Sequence, residues 1–236
     1  MSRVPPSVRI GLEFDHDHVV AVVPEGRFLV DTGCPASFGN CPSVTYGTRQ
    51  YQIGSGLPTP DGRQITTQSL EPLNLMVDGL IGMDIIRSTP VIWDLGNGLA
   101  EIGPFGDFPV TGRIPMSLTA GAFPIVDLTI EGRSIKALFD TGAQCGYAER
   151  GLFDGEAPVG SLRDCFVLLG TFIETPIWQK SVVVGDTILL EKFGVPSDDL
   201  AKIITSGLKA SAILGCSWMP GHRVWFDAAN SAMFIE

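Results

Sequence analysis

Long apolar runs are missing from this chain of 236 residues. The opening MSRVPPSVRI carries no hydrophobic stretch after its basic residue, as a secretion signal would, and no segment approaches the roughly 20 apolar residues that cross a bilayer. A cytoplasmic protein without a membrane partner is the expectation. Positive charge is also scarce: 16 Lys and Arg stand against 26 Asp and Glu, for a net charge of −10. Such a surface repels phosphate backbones, which argues against nucleic acid as a partner. The five cysteines are odd in number and form no C-x-x-C pair, so a zinc ribbon is excluded and free thiols are expected. Closure of a small loop by Cys34 and Cys41 stays open for a secreted form. There is no G-x-S-x-G elbow, His222 has no local nucleophile, and no Walker or dinucleotide fingerprint occurs.

Hydrophobic residues make up 44% of the chain and charged ones 18%, enough to fill a compact core. With 28 glycines and 17 prolines the turns must be frequent and the strands short, so the composition points to an all-β class. Runs such as FPIVDLTI, SVVVGDTILL and PVIWDL have the β-branched and aromatic content of strands. One helix is expected in SDDLAKIITSGLK. There Ser197 can cap, Asp198 and Asp199 suit the positive end, and Leu200, Ile203, Ile204 and Leu208 share a face.

The chain repeats itself. Glu-Gly-Arg, an apolar strand and Asp-Thr-Gly occur in PEGRFLVDTG and again, with three extra residues, in IEGRSIKALFDTG. Residues 80–102 then match residues 213–235 without a gap, so that Gly82 answers Gly215, Asp94 answers Asp227 and Asn97 answers Asn230. Two motifs in the same order indicate an internal duplication. Its boundary falls in the turn-rich 103–115, giving lobes of 1–106 and 107–236. The second lobe carries an insertion between its motifs.

One Asp-Thr-Gly is ordinary turn chemistry, in which the aspartate only accepts hydrogen bonds from its own turn. Two in duplicated contexts imply more. If the halves pack about a pseudo-twofold axis, Asp31 and Asp140 meet at it. Two carboxylates in contact hold one proton between them, leaving one as base and the other as acid. That asymmetry activates a water against an amide and protonates the carbonyl oxygen, without metal or covalent intermediate.

At these residues the sequence resembles the aspartic peptidases, over nearly the whole chain. The resemblance implies a duplicated retropepsin-like acid protease barrel of two lobes, mostly β with one or two short helices. It implies catalytic Asp31 and Asp140, threonines Thr32 and Thr141 bonded across the axis, and Gly33 and Gly142 offering backbone N–H groups near the carboxylates. Gly82 and Gly215 would let their strands pass close to the catalytic loops. Ala143 follows the second turn as in retropepsins, whereas Cys34 follows the first, where a small or hydroxylated residue is usual.

The family's glycine-rich flap is expected at YQIGSGLP, with Gly54, Ser55 and Gly56 at its tip, and Tyr46 in SVTYGT is a further cleft candidate. Gly170 in FVLLGTF could top a matching hairpin. Trp93 and Trp225 read as core. In FDHDHVV paired histidines could hold zinc, but with no third ligand nearby an exposed hairpin is expected, and neither metal nor cofactor is anticipated. The function implied is a monomeric endopeptidase acting on a peptide or protein substrate. The alternative is a catalytically silent peptide-binding or scaffold module on the same fold.

Overall fold

The computed structural model describes residues 6–59, 62–105, 112–166 and 171–236. The domain boundary expected near residue 106 and the hairpin top expected at Gly170 both lie outside them. The described chain is mostly β with short helices. Among these residues no helix is long and apolar enough to cross a membrane.

Each half begins as an antiparallel meander. In the first, Val8–Asp15 pairs with His18–Val23, which pairs with Gly26–Val30. In the second, Ile114–Leu118, Pro124–Ile130 and Arg133–Phe139 follow one another in the same way. The last strand of each meander then runs parallel to the strand that precedes the duplicated glycine. Phe28, Leu29 and Val30 lie beside Gly79, Leu80 and Ile81. Ala137, Leu138 and Phe139 lie beside Ala212, Ile213 and Leu214, the same register at the matching positions.

The repeat is less literal at the Glu-Gly-Arg triplets. Glu131 and Gly132, both at positive φ, form the second hairpin's two-residue turn, whereas in the first copy Gly26 and Arg27 already belong to the strand.

The halves join through their equivalent strands. Val91–Asp94 pairs antiparallel with Arg223–Asp227: Val91 faces Phe226, Ile92 faces Trp225 and Trp93 faces Val224. Since residue 91 matches 224, 92 matches 225 and 93 matches 226, each contact maps onto its own reverse. This is the signature of a twofold axis passing between Ile92 and Trp225. The two lobes are therefore related by a pseudo-twofold within one chain. Each joining strand ends in the same side-chain cap, in which the Asn97 N–H and side-chain amide donate to Asp94 (3.1 and 2.8 Å) and those of Asn230 donate to Asp227 (3.1 and 2.6 Å).

Under the axis an aromatic cluster fills the core. Trp93 packs on Phe226 (5.3 Å between ring centroids) and on Phe139 (6.3 Å), and Phe139 packs on Trp218 (6.2 Å). Trp93 is core as its sequence context predicts. Trp225 is only half-buried, because its strand alternates and the indole turns outward against Phe105.

The expected helix starts where predicted, with the Ser197 hydroxyl accepting the Leu200 N–H (3.3 Å) over Asp198–Lys202. It then widens to a π-turn over Ile203–Gly207. The hairpin at FDHDHVV is also present, with His16 and Asp17 both at positive φ in a two-residue turn. Its exposure is not as expected, since His18 is fully buried. The turn is pressed onto the second lobe, where Gln144 Nε2 donates to the His16 carbonyl (2.8 Å) and Cys216 Sγ to the Asp17 carbonyl (3.2 Å).

Candidate active site

The two Asp-Thr-Gly turns meet at the pseudo-twofold. Each aspartate leaves its strand with its N–H bonded to the neighbouring parallel strand, Asp31 to Ile81 O (3.0 Å) and Asp140 to Leu214 O (2.9 Å). The threonines then cross the axis reciprocally. Thr32 N–H donates to Thr141 Oγ1 (3.1 Å) and Thr141 N–H to Thr32 Oγ1 (3.0 Å). Each hydroxyl donates onward to the opposite strand, Thr32 to Phe139 O (2.6 Å) and Thr141 to Val30 O (2.7 Å). Both threonines are fully buried and every one of these groups is paired, so the two turns are locked to one another.

Gly33 and Gly142 complete the arrangement. Gly33 N–H donates to Asp31 Oδ1 (2.8 Å) and Gly142 N–H to Asp140 Oδ1 (2.9 Å). A Cβ on Gly33 would stand 2.3 Å from Asp140 Oδ2, and one on Gly142 2.4 Å from the Asp31 carboxyl carbon. Only glycine leaves room for the opposite carboxylate. The crossing glycines are equally constrained: a Cβ would meet Ala36 C at 2.9 Å from Gly82 and Cys145 C at 2.4 Å from Gly215.

Asp31 and Asp140 thus face one another across the axis, each carboxyl seated against the glycine of the opposite turn. Both are half-buried and line one cleft. Burial raises Asp31 well above the usual carboxylate range, and the charge of Asp140 and the hydrogen bond to it push in the same direction. Asp140 is pushed up to about 6, chiefly by burial. The N–H groups of Gly142 and Gly33 and the bond from Asp31 hold it lower than its partner, while the charge of Asp164 raises it. The pair thus titrates as a unit, in which Asp140 is the member that ionises and Asp31 the member that keeps a proton.

A cavity of ≈ 210 Å³ lies over the pair. Its first-lobe wall includes Phe38, Leu57, Ile65 and Leu80. Its second-lobe wall includes Phe123, Tyr147 and the four residues Leu200, Ile203, Ile204 and Leu208 that the sequence placed on one helical face. Asp164 is the third carboxylate lining it and accepts a hydrogen bond from the Tyr147 hydroxyl (2.5 Å). Sequence reasoning missed Tyr147 and Asp164, because neither sits in a repeated motif.

The flap assignments require correction. Gly54, Ser55 and Gly56 form no hairpin tip. They connect two hairpins, and Gly54 is pinned by a bridge to Phe38 and by accepting the Gly39 N–H (2.9 Å). The hairpin that borders the cavity comes next, Leu57–Pro58 with Gln64–Ile65. Tyr46 does not reach the cleft. It lies at the end of Ser43–Tyr46 with its side chain buried in the main core, since alternation along the short strand turns it inward with Val44. On the second lobe the strand Gly160–Phe166 approaches the Thr67–Leu73 turn, so the cleft is flanked from both halves.

Cys34, at the departure from the family pattern, is buried with its thiol donating to Ala36 O (3.3 Å), and burial raises its pKa well above the ordinary value. It is a small apolar wall residue. Cys34, Cys41, Cys145 and Cys216 are all free thiols, so Cys34 and Cys41 do not pair. His16 is bonded to Asp15 (2.7 Å), His18 Nδ1 lies 2.7 Å from the His16 carbonyl, and no metal-holding cluster occurs among the described residues.

No family model and no curated protein matches the chain. Among solved structures it is similar to the aspartic proteinase from Irpex lacteus, with 13% sequence identity, a TM-score of 0.48, and coverage of 97% of this chain and 96% of that one.

Proposed function

We propose that the protein is an aspartic endopeptidase, in which a water held between Asp31 and Asp140 attacks a peptide bond. The observation that supports this reading is two carboxyls brought face to face by the crossed Asp-Thr-Gly turns, both lining one largely apolar cleft. Asp140 takes a proton from the water as the water adds to the amide carbonyl carbon, and Asp31 gives its proton to the carbonyl oxygen. The proton held by Asp140 then passes to the departing nitrogen as the carbon–nitrogen bond breaks, and the diol's proton returns to Asp31. The apolar cleft walls exclude bulk water and favour apolar substrate side chains. Both carboxylates belong to one chain, so a monomer is sufficient.

Asp31→Asn and Asp140→Asn, made separately, are the test. Each should lower cleavage of an unfolded, alkylated protein by about 10²–10⁴-fold or more, read by mass spectrometry of the fragments. Cleavage that survives either change would refute the mechanism. A wild-type protein that binds peptides and cuts none between pH 3 and pH 9 would identify a peptide-binding module instead.

A further inference from the structure

The pseudo-symmetry leaves one buried carboxylate to be explained. In the first lobe, the loop that leaves the catalytic turn is tied to the segment after the crossing glycine through Ser37. Its Oγ accepts the Gly82 N–H (2.8 Å) and donates to Asp84 Oδ1 (2.6 Å). Ser37 lies at the same distance beyond Asp31 as Gly146 lies beyond Asp140, and Asp84 stands to Gly82 as Ser217 stands to Gly215. The matching positions in the second lobe thus hold no carboxylate, and the first-lobe tie cannot form there.

Glu191 supplies it from elsewhere. It belongs to the strand Thr187–Gly194, part of the segment between the second lobe's two motifs that is longer than its first-lobe counterpart. Its side chain is fully buried beneath the loop. Oε1 accepts the Gly146 N–H (2.7 Å) and Oε2 accepts the Ser217 hydroxyl (2.9 Å), while the Ser217 oxygen accepts the Lys192 N–H (3.3 Å). The same two segments are tied, at equivalent places, by a carboxylate of different origin.

We propose that Glu191 is a positioning residue for Asp140: it clamps the Asp140–Gly146 loop to Cys216–Ser217 and so fixes the Asp140 carboxylate against Asp31. The proposal rests on the reading of the pair as an acid–base dyad. A residue buried at this point with no function would leave an expensive polar group in the core, whereas here both oxygens bond to the elements that frame the catalytic turn. Burial pushes Glu191 up to about 8, so through the acid and neutral range it carries a proton; the Ser217 hydroxyl, which donates to the carboxylate form, then turns so that its oxygen accepts from Oε2. Glutamine then reproduces both its shape and its hydrogen bonds.

The experiment compares wild type, Glu191→Gln, Glu191→Ala and Ser217→Ala in two measurements. The first is kcat and KM on a peptide cut by the wild type. The second is the pH titration of the two dyad carboxyls, followed by NMR of protein labelled at the aspartate carboxyl carbon. Displacement of a catalytic group by about 1 Å costs on the order of 10²-fold. Glu191→Ala should accordingly lower kcat by about 10–100-fold with KM little changed, and bring the two carboxyl titrations closer together. Ser217→Ala should show a smaller loss in the same direction, and Glu191→Gln should restore both readouts below pH 8. A folded Glu191→Ala or Ser217→Ala protein with wild-type kcat and unchanged dyad titration would overturn the proposal, as would a Gln variant as impaired as the Ala variant. If the wild type cuts no peptide, the peptidase reading fails, and the titrations alone still decide the role of Glu191.

Discussion

At the scale of single residues, the proposed mechanism ties the pH behaviour to Asp31 and Asp140. The proposed mechanism needs Asp140 ionised and Asp31 protonated; Asp140 is pushed up to about 6 and Asp31 well above the usual carboxylate range. Activity should therefore rise with an acid-side midpoint of about 6 in a kcat/KM profile. Asp164 raises Asp140 through its charge, so Asp164→Asn should move that midpoint to lower pH. An unmoved midpoint would show that Asp164 does not act on the pair. The threonine bridge makes a separate prediction. Thr141→Ala removes an acceptor from the Thr32 N–H and a donor from Val30 O, both buried, and should cost about 1–3 kcal/mol in chemical denaturation. Much of this site was legible in the sequence, because each turn residue has a local reason for its identity. The aspartates follow a strand, and the glycines stand where a side chain would strike a carboxylate. Asp164 and Glu191 were not legible. They reach the site from an unrepeated segment, and only the fold brings them to Asp140 and Gly146.

At the scale of elements, periodicity succeeded where one face of an element meets one environment. Leu200, Ile203, Ile204 and Leu208 read as a helical stripe, and they do line one wall of the cleft, even though the helix loosens to a π-turn after Lys202. The flap was misread because glycines were taken as the mark of a bending tip. Gly54 is held by its bridge to Phe38 and by the bond from the Gly39 N–H, and the cleft-side hairpin is identified instead by its apolar pair Leu57 and Ile65. This gives a paired prediction. Leu57→Ala and Ile65→Ala should raise KM for peptides with large apolar side chains, whereas Tyr46→Phe, in the core, should leave KM unchanged. The reverse pattern in steady-state kinetics would return Tyr46 to the cleft. Gly82→Ala belongs to this scale too, because its Cβ would press on backbone atoms at 2.9 Å. Neither the Ala36 carbonyl nor Cys34 O can yield as a flexible side chain would, so the catalytic loop itself must shift and turnover should fall.

At the scale of the whole molecule, one chain builds an interface of the kind that two identical subunits would build. The reciprocal pairing of Val91–Asp94 with Arg223–Asp227 and the crossed threonines are its two layers, with the aromatic cluster of Trp93, Phe139 and Phe226 packed in the core. The repeat was readable in the sequence because the residues at the axis recur in both halves. The longer second-lobe segment, which has no counterpart of equal length in the first lobe, brings Asp164 and Glu191 to the site. The same segment sets a pH dependence of stability. Glu191 titrates at about 8 in the fold against an ordinary 4.5, buried with Gly146, Ser217, Cys145 and Cys216 around it and with Lys192 favouring its charge. The folded state thus binds its proton more tightly than the unfolded chain does. The contribution is full below about pH 4.5 and is lost as pH rises through about 8. Thermal melts should show stability declining across that window, and Glu191→Gln should flatten the decline. A Gln variant with the wild-type slope would remove Glu191 as its source.

The account rests above all on the proton shared by Asp31 and Asp140, and an atomic-resolution or neutron crystal structure near neutral pH measures it directly. The predicted result is a carboxyl oxygen of each within about 3 Å of the other, or both on one bridging water, with a single proton carried by Asp31. Carboxyls turned into separate surroundings beyond the reach of one water, or both ionised with no proton between them, would contradict it.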